Sequence, residues 1–357
     1  MYPHAYRDHW VAQQYLPDTL QGKVFYQPGD IGYEADIQIQ VTRRREAQLA
    51  AMVEGEADEH LEILTTSPTN RSRDAWLQRV IAGSGRKLGD MRDRMFDLAA
   101  VQRHHLVLDI NAGSGLLTWE ALRRAPEGGV WALAADPQAG EALRQQAERL
   151  PEVERPVVLI GRPDELPFIL ALRDEEDIRF DRILARNTAS RSDEWGQAIP
   201  LLFERLAPDG RLVLSQAVPR HTQRLYALVD WNGAEALGER IRAAEETIYA
   251  DPDDPLVNWD TDDLTADLKA AGFVGVVVTT DSQTEERRIT VAHLERWFEV
   301  GEEDRASYAQ RLAAAGLDAG EIEAVKARYT RQLVDQVVSW EATLATVVGE
   351  KLDVPTE

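Results

Sequence analysis

The chain has 357 residues, 62 acidic against 40 basic, a formal net charge of −22, and 44% hydrophobic residues. A field of that sign repels DNA and RNA, so any contact with nucleic acid needs a local basic patch. The lack of cysteine excludes disulfides, thiolate metal sites and cysteine nucleophiles.

Residues 1–45 are dense in tyrosine, proline and glycine, which argues for extended segments and turns, with a helix only from about Gly32 onward. Residues 46–70 carry an acidic run (Glu54, Glu56, Asp58, Glu59, Glu62) followed by "TTSPTNRS", and read as a linker. From 71 to 292 strand and helix patterns alternate. Helices are expected at about 74–82 and at "LGDMRDRMFDLAAV", then strands at "HLVLDI", "GVWALAA", "PVVLIG", "FDRILAR" and "GRLVLSQ", with helical stretches between them. Such alternation predicts an α/β fold with a mainly parallel sheet covered on both faces. "TDDLTADLKAAGF" then leads into "VGVVVTT", a turn at "DSQTEE", and "RRITVAHL", which predicts a closing antiparallel hairpin. Residues 293–357 read as a helical extension. In it Ile322, Val325, Tyr329, Leu333, Val337, Trp340 and Leu344 form one stripe at steps of three or four. Packed within the chain, that helix would form a lid, with Gln332, Gln336 and Trp340 lining a substrate cleft.

The chemistry concentrates in "LVLDINAGSGLLTWEAL" (106–122), where a strand passes through a glycine-rich turn into a helix. Parallel sheets bind ligands at the carboxyl ends of their strands, and glycines let backbone approach a ligand closely. Asp136 ends the next strand about 20 residues on, where an acid can accept ribose hydroxyls; it equally suits the cap of the helix that Pro137 opens. A dinucleotide fingerprint would need a third glycine where Thr118 stands.

The turn "VLDINAGSG" resembles the first motif of the class I S-adenosylmethionine-dependent methyltransferases, commonly Val-Leu-Asp-x-Gly-x-Gly-x-Gly. "GRPDELPF" (161–168), "FDRILARN" and "LLFERLAPDGRLVLS" are similar to the loop after that fold's third strand, its fourth strand, and its last parallel turn and strand. The resemblance covers about 71–292 and implies a Rossmann-like methyltransferase fold. It also implies an S-adenosylmethionine site built from Asp109, Asn111, Gly113, Gly115, Asp136 and Asp164. Asn111 replaces the motif's first glycine. Arg162 stands where such enzymes often carry an aspartate for the adenine amino group, with Asp164 two residues on as its substitute or as a helix cap. "ARNTASRS" lacks the Asn-Pro-Pro-aromatic motif of amino-methylating enzymes. Methyl transfer needs alignment and, for some acceptors, a base. Asn187 and His221 are the catalytic candidates, with Gln216 and Arg220 beside them. The acceptor is unknown and no metal site is expected. His104 and His105 lie at the wrong end of the first strand for chemistry and read as structural.

The start of the chain resembles another family. "YPHAYRDHWVAQQYLPDTLQGKVFYQPGDIGYEADI" is similar to the carboxyl terminus of the replication-associated recombination ATPases of the RarA/MgsA family, where such a series closes the oligomerisation domain. The phosphate-binding Gly-x-x-x-x-Gly-Lys-Ser/Thr is absent, so no ATPase activity is implied. The pairing suggests the back end of a fusion between such an ATPase and a methyltransferase-like domain. It implies partners: a recombination ATPase, or self-association, and a link to DNA recombination. A non-catalytic interaction module that kept the fold is the alternative reading. Arg43, Arg44 and Arg45, with Arg71, Arg73, Arg79, Arg86, Lys87, Arg92 and Arg94, are the local basic patch through which nucleic acid would be met. With no signal peptide and no membrane-spanning run in the sequence, a cytoplasmic protein is expected.

Overall fold

The computed structural model describes residues 32–58, 71–188, 192–251, 257, 259–299 and 306–352. Seven strands are hydrogen-bonded in the order β3-β2-β1-β4-β5-β7-β6. They are β1 (Leu106–Ile110), β2 (Gly129–Ala134), β3 (Val157–Ile160), β4 (Phe180–Arg186), β5 (Leu206–Ala217), β6 (Val274–Arg288) and β7 (Val337–Glu350). β1 pairs parallel with β2 and with β4, and β2 parallel with β3. β7 lies between β5 and β6 and runs antiparallel to β6. This is the mainly parallel, Rossmann-like α/β sheet, closed by antiparallel C-terminal strands, that the sequence predicts. No helix among the described residues is long and apolar enough to cross a membrane.

The chain divides into two compact units, one drawn from 1–185, 204–213 and 351–357, the other from 186–203 and 214–350. In the first, α1 (Tyr33–Asp58) and α2 (Arg71–Ala99) precede β1. The helix from about Gly32 is present, but it continues to Asp58, so part of the stretch read as linker is helical. The two helices expected between 74 and 99 are one. The intervening glycines do not break the helix: they face Ala47 of α1, where a Cβ on Gly85 would lie 3.4 Å from the Ala47 carbonyl oxygen and one on Gly89 3.8 Å from the Ala47 Cβ, both ordinary contacts. Ala47 and Ala50 are buried with Leu116, and Leu88 and Met91 pack on them. Small residues let two backbones approach, and that contact outweighs glycine's low helix propensity. The last turn of α2 is closed by arginines, with Arg182 Nε donating to the Ala99 carbonyl (2.5 Å) and Arg211 Nη1 to that of Leu98 (2.6 Å). His105 supports the entry to β1, its Nδ1 accepting the Gln102 amide at 3.0 Å.

In the second unit, α7 (Glu235–Ala250), α9 (Val291–Phe298), α10 (Tyr308–Ala314) and α11 (Ala319–Leu333) share an apolar cluster. It includes Leu225, Ile241, Ile248, Leu294, Leu312, Val325 and Tyr329. The expected closing hairpin is corrected here. "VGVVVTTDSQTEERR" is a single strand, and its "DSQTEE" pairs with Leu344 back to Ser339 instead of turning. The long C-terminal helix is corrected with it. α11 stops at Leu333, Asp335 takes a left-handed φ of 62°, and its amide donates to the Ile289 carbonyl at 2.8 Å, which starts the return strand β7. Val337, Val338, Thr343, Thr346, Val347 and Val348 are β-branched and suit a strand once a partner is present. Trp340 and Leu344 share a face at strand spacing as well as at helical spacing, which is why the stripe misled. The lid falls too, since Gln332 is bound to the backbone of Asp230 through both ends of its amide (2.8 and 2.9 Å).

Candidate cofactor site and neighbouring residues

Within the first unit, β1 ends in Ile110 and the chain turns at Asn111, whose φ is 63°. Asparagine tolerates this left-handed conformation better than most residues, so it can stand where the motif has glycine. The Ala112 amide donates to the Leu133 carbonyl at 2.9 Å and the Gly115 amide to that of Ala112 at 3.1 Å, which folds the turn against the end of β2. Gly115 opens α3 (Leu116–Arg124) at φ 70°, and a Cβ there would sit 2.4 Å from Trp119 Nε1 and 2.7 Å from Leu143 Cδ2. The chain's own packing therefore demands a glycine at 115. Gly113 is different. It has no positive φ, and a Cβ there would meet only the Ala139 Cβ, at 4.0 Å. Nothing in the fold requires a glycine at 113.

Asp109 faces inward. It is 1% exposed, and its Oδ2 accepts the Thr118 hydroxyl at 2.6 Å, so it ties β1 to α3 beneath the turn. Asp136, exposed at the end of β2, caps α4 (Pro137–Ala147) by accepting the amides of Gln138 and Ala139, each at 3.1 Å. Each carboxylate oxygen can accept more than one hydrogen bond, so the cap leaves capacity for hydroxyl donors. After β3, the Gly161 amide donates to the Ala134 carbonyl at 3.0 Å, which brings the third loop beside the second. Arg162 grips Asp164 with two bonds, Nε to Oδ1 at 3.1 Å and Nη2 to Oδ2 at 2.9 Å. The Arg162 hydrogen bond holds the Asp164 carboxyl below its ordinary range, against a smaller upward push from burial. The loops after β1, β2 and β3 thus carry Asn111, Gly113, Gly115, Asp136 and Asp164 to one edge of the sheet. Asp109 supports them from below.

Asn187 and His221 belong to the second unit. Asn187 is exposed at the end of β4 with φ 50°, and its amide donates to the Ser215 carbonyl at 3.0 Å. His221 is exposed and closes a short 3-10 turn after β5. Arg220 is ion-paired to Asp260, and its Nη2 lies 3.5 Å from Asp263. Gln216 is buried.

The residue sequence reasoning missed is Glu120 of α3, whose carboxylate side chain is only 3% exposed. It accepts from Arg43 (3.0 Å), Arg123 (3.0 Å) and Arg124 (2.9 Å). Arg123 also forks onto Glu46 (2.9 and 2.6 Å), and Arg43 onto Asp93 (2.5 Å). Arg92 pairs with Asp93 at 2.9 Å and donates to the Arg43 carbonyl. Two members of the supposed basic patch, Arg43 and Arg92, are thus engaged inside the first unit. The signal available beforehand was Arg43 and Glu46 facing one way on a helix, one turn apart. Of the other patch residues, Arg71, Arg73 and Arg79 have side chains outside the described ones.

Residues 1–45 match the model of a family described as MgsA AAA+ ATPase C terminal. Of that match, residues 1–31 lie outside the described residues and the remainder runs into α1. A ribosomal protein L11 methyltransferase from Burkholderia thailandensis is 32% identical over 125 residues, 35% of this chain. The chain spans about a third of that relative's length, 36% of it. Among solved structures, a putative methyltransferase from Bacillus halodurans C-125 aligns at TM-score 0.44 and 13% identity, covering 74% of this chain and all of that one. The YcgJ protein of Bacillus subtilis aligns at 0.42 and 18%, covering 75% and 99%.

Proposed function

We propose that the first unit binds S-adenosylmethionine on the loops after β1, β2 and β3, and that the chain is a methyltransferase of unknown acceptor. The observation that carries this reading is Gly113: a glycine that the fold does not need, in open space, at the carboxyl edge of a parallel sheet where such folds receive ligands. Asn111, Gly113 and Gly115 would pass the cofactor's backbone-facing side, Asp136 would take its ribose hydroxyls, and Asp164 would meet its base in competition with Arg162. S-adenosylmethionine supplies an electrophilic methyl group on a sulfonium sulfur. The 32% identity to a ribosomal protein L11 methyltransferase over part of the chain supports the same class. The ATPase-like match at residues 1–45 supports a partner from the recombination ATPases and, through it, a role in DNA recombination.

A second reading, an interaction module that kept the fold without the chemistry, is favoured by the two bonds Arg162 makes to Asp164. Calorimetric titration of the full chain with S-adenosylmethionine and S-adenosylhomocysteine separates them. Binding is expected, and Gly113→Ala should melt with the parent while binding at least about tenfold more weakly. Asp136→Ala should lose about 1–3 kcal/mol of binding and, separately, about 1 kcal/mol of stability as a lost helix cap. If the parent gives no heat and no cofactor-dependent rise in melting temperature, the methyltransferase reading is wrong and the module reading stands.

A further inference from the structure

The loop after β3 carries an ion pair that its own turn does not need. Gly161 and Arg162 leave β3 beside the end of β2, since the Gly161 amide is bonded to the Ala134 carbonyl. One residue clamps the backbone there from both sides. The Arg162 amide donates to Glu165 Oε2 at 2.8 Å, and the Glu165 amide donates back to the Arg162 carbonyl at 3.0 Å. The Arg162 side chain is 49% exposed, and it folds over Asp164, whose side chain is only 17% exposed, taking both carboxylate oxygens. A pair with so exposed a member contributes little to stability. With the backbone already clamped, the fork does less to hold the turn than to cover the acid that this loop offers to a ligand's base.

We propose that Arg162 is a latch on Asp164 and sets which purine the cofactor site accepts. The inference rests on the cofactor reading above, and all its residues lie in the first unit. Adenine carries an amino group that donates, so the group that meets it must accept, and an ionised carboxylate only accepts. A guanidinium only donates, so it suits an oxo purine and turns away an amino group. With the latch closed, the pair offers donors and acceptors side by side, and the site separates amino from oxo purines poorly. With the Arg162 side chain swung into solvent, Asp164 stands alone and the site prefers adenine. Opening needs only side-chain rotation, because the Glu165 bonds keep the backbone in place. Breaking one exposed pair to open it costs up to about fivefold in affinity.

The test titrates the full chain and its variants with S-adenosylhomocysteine and with S-inosylhomocysteine, the same molecule with an oxo group in place of the base's amino group. Arg162→Ala should bind S-adenosylhomocysteine up to about fivefold more tightly than the parent. It should also prefer that ligand to the inosine form at least about tenfold, a clear gain on the parent. Adding Asp164→Asn to Arg162→Ala should abolish the preference, because an amide can turn either its oxygen or its nitrogen to the base. The latch also has a readout without ligand. The Arg162 hydrogen bond holds the Asp164 carboxyl below its ordinary range, so carboxyl-carbon NMR titration should find it moved up in Arg162→Ala. That variant should melt within about 2 °C of the parent; a larger fall would make the pair a brace for the turn and overturn the latch. An Asp164 carboxyl that titrates alike in both chains overturns it as well. Binding in Arg162→Ala with neither tighter affinity nor a gain in preference removes the latch and leaves the cofactor reading intact. If no chain binds either ligand, the cofactor reading fails and the latch fails with it.

Discussion

Glu120→Ala is expected to destabilise the first unit by about 3 kcal/mol, read as a shift of the chemical-denaturation midpoint at unchanged slope. The carboxylate is nearly inaccessible, while the side chains of Arg43, Arg123 and Arg124 are 27%, 25% and 37% exposed. Removing the one acid leaves three guanidinium groups close together with less to hold them. Their partial exposure keeps the cost toward the lower end of that for breaking a buried pair. The effect should also carry a pH signature. Burial alone would raise the Glu120 pKa, but the hydrogen bond from Arg124 and the charges of Arg123, Arg43 and Arg92 outweigh it and leave it lowered. A lowered folded-state pKa means the contribution is present above the ordinary glutamate range and is lost as pH falls through the folded value. Glu120→Gln should therefore flatten the acid limb of the stability curve. A midpoint within about 0.5 kcal/mol of the parent would place Glu120 among surface residues of no consequence. Since Leu116, the residue after the glycine turn, packs on Ala47 and Ala50 of α1, loosening α1 should also weaken whatever that turn binds.

The parts of the fold legible in the sequence were those where a local pattern and its tertiary fate agree. The strand at Leu106–Ile110 is apolar but for Asp109, and its turn carries the residues that left-handed backbone and close packing require. Asp136 could be read as a helix cap because Pro137 follows it, and the two amide bonds confirm that role. The misreadings share one cause, a partner distant in sequence. "DSQTEE" has turn composition, yet a facing strand more than fifty residues later supplies its ladder. Gly85 looks like a helix break until Ala47 is placed against it. Glu120 looks like one acid on a helix face until Arg43 arrives from α1.

Glu245 in α7 should show the opposite pH dependence, within the second unit. It is fully buried, and its partners are neutral donors: the Leu225 amide at 2.6 Å, the Tyr226 amide at 3.0 Å and the Tyr308 hydroxyl at 2.8 Å. Tyr308 in turn stacks on Tyr329, their hydroxyls 3.3 Å apart. Burial raises the Glu245 pKa, and the bonds from Tyr308, Tyr226 and Leu225 only partly offset it. A raised folded-state pKa reverses the sign found for Glu120: the stability Glu245 contributes is complete below the ordinary glutamate range and is lost as pH rises through the folded value. Tyr308→Phe removes one donor to the ionised form and pushes the folded-state pKa further up, so the loss should run on to higher pH, with about 1 kcal/mol less stability near neutrality. Glu245→Leu leaves two amides and a hydroxyl unsatisfied and should cost about 3 kcal/mol, but it should abolish the alkaline slope. Following the near-ultraviolet signal of Tyr308 and Tyr329 during denaturation at several pH values reads the helices of the second unit. A parent slope that stays flat across the neutral range would show that Glu245 never changes its charge there. An unchanged slope in Glu245→Leu would assign the dependence to another group.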